Sequence, residues 1–456
     1  MTIVDKHYEK TVKVALLGAG TVGTQVARLL SEQHDLLSAR AGANLQLIGI
    51  AVRHLDAPRD PVIDRALLTD DPIPLIEQAD IVIELIGGID VPLKLVRFAL
   101  GNGVSVVTGN KALLATHGPE LYDLAAEKDV DLYYEAAVAG AVPVVYGLRE
   151  SLAGDEVQAV MGILNGTTNF ILDEMSAKGI SFDEALKLAQ ELGYAEADPS
   201  ADVDGADAAA KIAILASLAF HTRVSVSDVH VQGIRSITAG DIAAAQSAGY
   251  EIKLIASARR RADGIALVVA PSLVSTSNPL AGIHGSFNSV LIDAVSADRL
   301  MFYGRGAGGA PTASAVLSDL VAAAAKKVVG GHAPRELVID QLPVVEPDET
   351  TLRFYIKVLV SEKSTGVLSS ITRVFADNDV SISSIRQNPL DGAEAEAARA
   401  GLAELDNGGD HADEKLAYVT VMTHDSLHKN MRSVVAALGS VEGVWNVATV
   451  LRVEED

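Results

Sequence analysis

Asp207 and Lys211 stand four positions apart in the run Asp207–Phe220, which is otherwise nearly all apolar. That spacing puts both side chains on one face of a helix. A lysine among apolar neighbours is costly to bury without a partner or a task. The pair is therefore either a structural ion pair or part of an acid–base site, and spacing alone leaves both open. The segment leading into it is acidic, with Glu196, Asp198, Asp202 and Asp204. A second lysine, Lys111, ends the sequence Thr108-Gly-Asn-Lys111, directly after a short apolar run. In open α/β sheets ligands bind at the carboxyl ends of such strands. Glu135-Ala-Ala-Val138-Ala-Gly140-Ala-Val142 follows another such run. The chain has no cysteine, which excludes thiolate catalysis, disulfides and zinc–thiolate sites.

Gly18-Ala19-Gly20-Thr21-Val22-Gly23 supplies a different chemistry. It follows a predicted strand, Val12–Leu17, and opens a predicted helix, Val22–Ser31, the context in which a GxGxxG pattern binds a dinucleotide. Gly18 permits the tight turn, Gly20 lets the backbone approach the pyrophosphate, and Gly23 lets helix and strand pack closely. The helix N-terminus then faces the phosphates. An acidic residue at the end of the second strand would favour NAD by binding the ribose 2′-hydroxyl. That strand ends Ala51-Val52-Arg53, so Arg53 points to NADP in preference to NAD, its alternative being a solvated surface arginine.

These residues need elements to hold them. Short apolar runs at Val12–Leu17, Leu45–Val52, Ile81–Ile86, Val104–Val107 and Leu132–Glu135 alternate with helical stretches such as Pro119–Lys128, the pattern of a parallel sheet covered on both faces. The middle of the chain is mixed α+β. Strands are expected at Val157–Leu164, Ile252–Ala258 and Ile265–Ala270, and helices at Thr168–Ala177 and Phe182–Leu192, the latter behind a Ser181–Glu184 capping box. The glycine-rich Tyr303-Gly-Arg-Gly306-Ala-Gly308-Gly-Ala-Pro311 precedes a helix from Thr312 to about Val329. Beyond Pro334, Pro343 and Pro347 comes strand (Leu352–Val360), helix (Val367–Asn378), two strands (Val380–Gln387, Ala417–Thr423), helix (Leu427–Leu438) and strand (Val444–Val453), a βαββαβ order. Residues 391–415 interrupt it with eight acids and two bases and are expected to form a mobile loop. The expected domains are residues 1–140 completed by about 308–335, 141–307, and 346–456.

Bulk properties set limits. A chain of 456 residues suggests about three domains. A net charge of −23 argues against nucleic-acid and anionic-membrane partners. The start, MTIVDKHYEKTVKV, does not read as a signal peptide, and no apolar run approaches the ~20 residues of a membrane span. A cytoplasmic location is the expectation.

The stretches GAGTVG (18–23), TGNKALLA (108–115), YEAAVAGAVP (134–143), GILNGTTNFIL (162–172), LGYAEADPSADVDGADAAAK (192–211) and YGRGAGGAPTASAVLSDL (303–320) together resemble homoserine dehydrogenases. The βαββαβ unit resembles an ACT regulatory domain. With no aspartate-kinase region ahead of the dinucleotide segment, the resemblance is to the monofunctional type. It implies NAD(P)-dependent interconversion of L-homoserine and L-aspartate 4-semialdehyde, a step toward threonine, methionine and isoleucine. Lys211 then matches the acid/base lysine, and Lys111 the lysine between cofactor and substrate. Asp207 and Glu196 match substrate-binding carboxylates, with Gly193 and Thr167 in the substrate loops. Gly306 and Gly308 match a second cofactor loop. Glu135, with the backbone of Val138, Gly140 and Val142, matches a site for sodium or potassium, an oxygen-only donor set suited to a hard ion. In ACT units an amino-acid effector sits near the first strand–helix loop, here Ser361–Leu368, so Gly366, Leu368 and Asn378 are the candidate effector residues and L-threonine the expected effector. Such proteins form homo-oligomers, here a homodimer or homotetramer. Two rival readings are another NADP-dependent amino-acid or semialdehyde reductase, and a non-enzymatic amino-acid sensor.

Overall fold

The computed structural model describes residues 8–339, 341–345, 351–392, 395, 396, 398, 399, 402 and 415–454. The first unit is a parallel sheet of β1 (Thr11–Leu17), β2 (Asn44–Ala51), β3 (Leu68–Thr69), β4 (Ile81–Glu84), β5 (Ser105–Thr108) and β6 (Leu132–Tyr133). Their order is β3-β2-β1-β4-β5-β6. The chain runs outward from β1 to β3, then crosses back to β4, so the crevice between the ends of β1 and β4 is the switch point where such sheets bind ligands. Every residue of β4 and β5 is buried, which is why Ile81–Ile83 and Val106–Val107 are apolar on both faces, while Glu84 and Thr108 at the strand ends are buried polar groups. The helix Gly309–Val329 returns to this unit and packs on the Thr21–Glu32 helix. Its Ala313, Val316 and Leu320 share a core with Val14, Leu16 and Val26.

Two local expectations shift. The helix expected from Pro119 begins at Lys111, because the Asn110 side chain accepts from the Leu113 N–H at 3.1 Å and caps it; Pro119 lies inside. The strand expected to reach Glu135 stops at Tyr133, and Glu135–Ala137 turns into a short 3₁₀ helix.

The second sheet contains β7 (Val157–Ile163), β8 (His230–Val231), β9 (Tyr250–Arg261), β10 (Gly264–Ser275), β11 (Phe287–Ala294), β12 (Asp298–Arg305), β13 (Thr351–Ser361), β14 (Ile382–Pro389), β15 (Leu416–Thr423), β16 (Ser426–Leu427) and β17 (Val444–Glu454). Its path is β12-β11-β7-β9-β10-β17-β13-β15-β14, with β8 on β10 and β16 on β13. The sequence reading has no counterpart for β11 and β12. β12 is an edge strand with alternating exposed and half-buried residues, and it runs into the glycine-rich segment, so no apolar run marks it.

The C-terminal βαββαβ unit has its own core, with Phe354, Ile356 and Val358 beneath Ile371, Phe375 and Val434. Yet β17 pairs in parallel with β10 through Ser272–Val274 and Arg452–Glu454, so one sheet runs through both units. Tyr355, Leu451 and Val453 belong to the core of the middle unit. Most of the acidic segment 391–415 lies outside the described residues.

Candidate active site

The glycine loop has the geometry its residue types demand. Gly18 has φ +101°, and a Cβ there would sit 2.7 Å from the Leu85 carbonyl oxygen. A Cβ on Gly23 would lie 2.1 Å from the Gly18 oxygen, so helix and loop touch backbone to backbone. At Gly20 a Cβ would meet nothing, which leaves that side open to a ligand. Gly20 is the N-cap of the Thr21–Glu32 helix, and no side chain caps it. The first N–H groups of the helix are thus available to an anion, a fit for a pyrophosphate.

Gly18, Ala19 and Gly20 line a cleft of about 580 Å³ together with Arg53, His54 and Arg59. Arg53 is exposed just past β2. Arg59 reaches back to the loop, donating to the carbonyls of His54 at 2.9 Å and Ala19 at 3.5 Å. Its buried Nε has no hydrogen-bond partner. Arg59 lies six residues beyond the strand end that sequence reasoning inspected, in an irregular connection, and no spacing rule marked it.

A second cleft, about 670 Å³, opens between the first sheet and the middle unit, and it brings together Lys111, Gly140, Thr167, Gly193, Glu196, Asp207, Lys211, Gly306 and Gly308. Asp207 and Lys211 lie on the Ala206–Phe220 helix, and Lys111 begins the helix capped by Asn110. Asp207 is the hub. Its Oδ1 lies 2.7 Å from Lys111 Nζ, and its Oδ2 accepts from Lys211 Nζ at 2.6 Å and Asn165 Nδ2 at 2.9 Å. Lys211 also donates to the Leu164 carbonyl at 2.6 Å. An ammonium has three protons, so one remains, on a side chain that lines the cleft. Burial opposes ionisation of Asp207, but Lys211 and Lys111 outweigh it and hold the carboxyl well below the ordinary range. Burial also pulls Lys111 down, but Asp207, Asp202 and Glu196 prevail and raise it above the ordinary lysine value. The Asp207 and Lys111 charges both persist across neutral pH.

Residues that spacing did not reveal hold this hub. The Asn165 amide bridges Asp207 and Asp202, the latter at 2.7 Å, while its carbonyl caps the Gly166–Lys178 helix through Thr168 N–H at 2.8 Å. Asn288 shares the Leu164 carbonyl at 3.0 Å. Glu84, fully buried, accepts from Thr108 Oγ1 at 2.6 Å and Ile86 N at 2.8 Å, tying the Lys111 loop to β4. Burial raises the Glu84 carboxyl against these bonds. All three were unremarkable polar residues until the fold brought partners to them. Thr167 Oγ1 donates to the Tyr194 carbonyl at 2.8 Å, joining the two loops that carry Thr167, Gly193 and Glu196.

Glu135 is buried beside this cleft, and its two carboxylate oxygens accept from Val145 N at 3.0 Å and Tyr146 N at 2.7 Å. Burial pushes its carboxyl up to about 7 against those bonds and Arg149. Its own N–H donates to Asp319 at 2.8 Å, whose other oxygen is buried without a partner. Ala139 and Gly140 both have positive φ, +55° and +59°, and Gly140 packs so closely on Gly306 that a Cβ would lie 2.4 Å from its carbonyl oxygen. Ala141 N also bonds the Arg305 carbonyl at 3.1 Å, so the two loops meet. The donor set is all oxygen, which fits a hard monovalent ion. Far from this cleft, Gly366 caps the Val367–Asp377 helix with φ +88°, Leu368 is partly exposed, and Asn378 at its other end donates to the Val374 carbonyl at 2.8 Å.

Comparison with known proteins gives a consistent result. Residues 18–135 match the family model described as homoserine dehydrogenase, NAD binding domain, and residues 143–321 match homoserine dehydrogenase. The chain is 47% identical over 452 residues to a homoserine dehydrogenase of Corynebacterium glutamicum, covering 98% of this chain and 96% of that protein. It is 46% identical to one of Mycobacterium leprae over 98% of both. A homoserine dehydrogenase crystal structure from Thiobacillus denitrificans has a TM-score of 0.87 at 34% identity, covering 98% of this chain and 99% of that one. A hyperthermophilic archaeal homoserine dehydrogenase in complex with NADPH has a TM-score of 0.60 at 28% identity, covering 71% of this chain and all of that one. Among the described residues no helix is long and apolar enough to cross a membrane. With a dinucleotide loop, a two-lysine cleft and full-length similarity in agreement, the chain belongs to the homoserine dehydrogenase family of NAD(P)-dependent oxidoreductases.

Proposed function

We propose that the enzyme interconverts L-aspartate 4-semialdehyde and L-homoserine with NADP as preferred cofactor, Lys211 moving the proton. The observation that carries this is Asp207 holding Lys111 and Lys211 at 2.7 and 2.6 Å in one cleft. A nicotinamide cofactor, when bound, supplies or accepts the hydride. In the reducing direction the aldehyde carbon takes the hydride and its oxygen takes a proton from Lys211, giving the alcohol; oxidation reverses both transfers. Asp207 keeps Lys211 oriented, and Lys111 adds positive charge beside the developing alkoxide. Glu196, with Asp207, suits the substrate ammonium, a charge-assisted contact, and Thr167 and Gly193 shape the substrate loop. Gly306 and Gly308 supply backbone on the cofactor side. NADP preference is supported by Arg53 and Arg59 flanking the cleft of the glycine loop. The test is NADPH oxidation by purified protein with aspartate semialdehyde; no turnover would overturn the reading.

Sodium or potassium would be held by Glu135 and the carbonyls of Val138, Gly140 and Val142, fixing the loop that touches Gly306. Sodium should then raise the melting temperature above that in an equal concentration of tetramethylammonium, and equal melting would count against the site. The C-terminal unit acts as an ACT domain that takes threonine near Gly366, Leu368 and Asn378. Millimolar threonine that neither inhibits nor binds by calorimetry would refute that role. The working form is a homodimer or homotetramer, to be read from light scattering.

A further inference from the structure

A half-open cavity of about 270 Å³ lies where the sheets of the middle and C-terminal units join. One wall is His230 of β8 with Val268 and Ala270 of β10; the other is Phe354 of β13, Arg452 of β17 and His428 at the start of the next helix. The register fixes this arrangement. Phe354 stands opposite Arg452, so both project from one face of the sheet, while β8 pairs with β10 from the other unit. His428 packs on the Phe354 ring at 5.8 Å. Val268, Ala270 and Phe354 supply an apolar side and Arg452 a cationic one.

Arg452 is half-buried and, among the described residues, has no hydrogen bond or ion pair. The nearest acid on its strand, Glu454, is engaged by Arg259 at 3.1 Å. Glu454 favours the charged form of Arg452 against burial and Arg259, so this partly desolvated guanidinium shares one carboxylate with another arginine and makes no hydrogen bond of its own among the described residues, which is costly. An anion in the cavity would offset that cost, with the Arg452 guanidinium N–H groups as donors. Val268, Ala270 and Phe354 would cover an aliphatic body. The volume, just under the usual range for ligand sites, suits a small metabolite and not a nucleotide.

We propose that this cavity is a binding site for a small aliphatic carboxylate, separate from the catalytic cleft and from the Gly366 loop. Because its walls come from two units, a bound carboxylate would favour their docked arrangement over any looser one.

The test uses the full chain and three probes: isovalerate, its neutral isostere isovaleramide, and inorganic phosphate. Calorimetry should give saturable binding of one isovalerate per chain and none of isovaleramide. Arg452→Met should weaken isovalerate at least about 10-fold while leaving NADPH-dependent turnover unchanged. Should that variant fail to fold, Arg452→Lys, which keeps the charge but not the fork, should still bind more weakly than the natural protein. Phosphate binding that depends on Arg452, with none of isovalerate, would overturn the aliphatic assignment. Isovalerate affinity unchanged in both variants, or no saturable heat, would overturn the site.

Discussion

Lys357 of β13 is buried against Asp241 of the middle unit, Nζ to Oδ1 at 2.9 Å, with side chains 4% and 0% exposed. The ammonium also lies 4.0 Å from the centre of the Tyr418 ring. Asp241 is at the same time the capping-box residue of the Ala239–Ser247 helix, accepting from the Thr238 N–H at 3.0 Å. The C-terminal unit is therefore pinned by a charge pair as well as by the β10–β17 pairing. Removing one partner of such a pair leaves an uncompensated buried charge and costs about 3–5 kcal/mol. Lys357→Met should accordingly lower the melting temperature by several degrees. The double variant Lys357→Met with Asp241→Leu should recover much of the loss. If the double variant melts lower than either single one, the pair is not what destabilises Lys357→Met.

The same pinning shapes any study of regulation. Deleting everything beyond about residue 346 would expose β10 and strip Tyr355, Leu451 and Val453 from the middle core. Point substitutions near Gly366 therefore test the proposed threonine response more cleanly than truncation.

Lys211 holds one free proton donor in the cleft. Lys211→Met, close in volume, should lower kcat by at least about 10²-fold, the scale of general acid–base catalysis. Cofactor affinity, measured by NADPH fluorescence, should stay within a few-fold. Near-normal turnover would remove Lys211 from the proton path.

Two arginines flank the dinucleotide cleft, and only Arg59 is anchored to the glycine loop. Arg53→Asp and Arg59→Met should each raise KM for NADPH more than KM for NADH. Steady-state kinetics with both cofactors decides; equal effects on the two would show that neither residue reads the 2′-phosphate.

Lys253 is 1% exposed, and its ammonium donates to the Ile283 carbonyl at 2.6 Å. Burial lowers its pKa, with Asp173 and Glu251 opposing. An amine whose folded pKa is below its unfolded one destabilises the fold fully below the folded pKa, and the penalty fades as pH rises toward the unfolded value. Replacing a poorly compensated buried charge by an apolar side chain is often neutral or stabilising. Lys253→Met should therefore melt higher than the natural protein at pH 7, with a smaller advantage at pH 10. A variant equally destabilised at both values would show that the Ile283 bond outweighs the burial of charge.

Composition, period and the glycine loop were enough to read the parallel first sheet, the dinucleotide site and the C-terminal βαββαβ order. Each rests on local rules: β4 and β5 are buried on both faces and so have apolar centres with no alternation, and Gly18, Gly20 and Gly23 meet the needs of the turn within six residues. Spacing along one helix also paired Asp207 with Lys211, though it left open whether the pair was structural. Only the tertiary structure set Lys111, ninety-six positions earlier, on the other carboxylate oxygen. Likewise, the tertiary structure alone gave Asn165, Asn288 and Glu84 their partners and fused β17 to β10. These contacts join residues far apart in the chain, and a polar side chain carries no sign of a distant partner until folding excludes water and leaves it one bond to make.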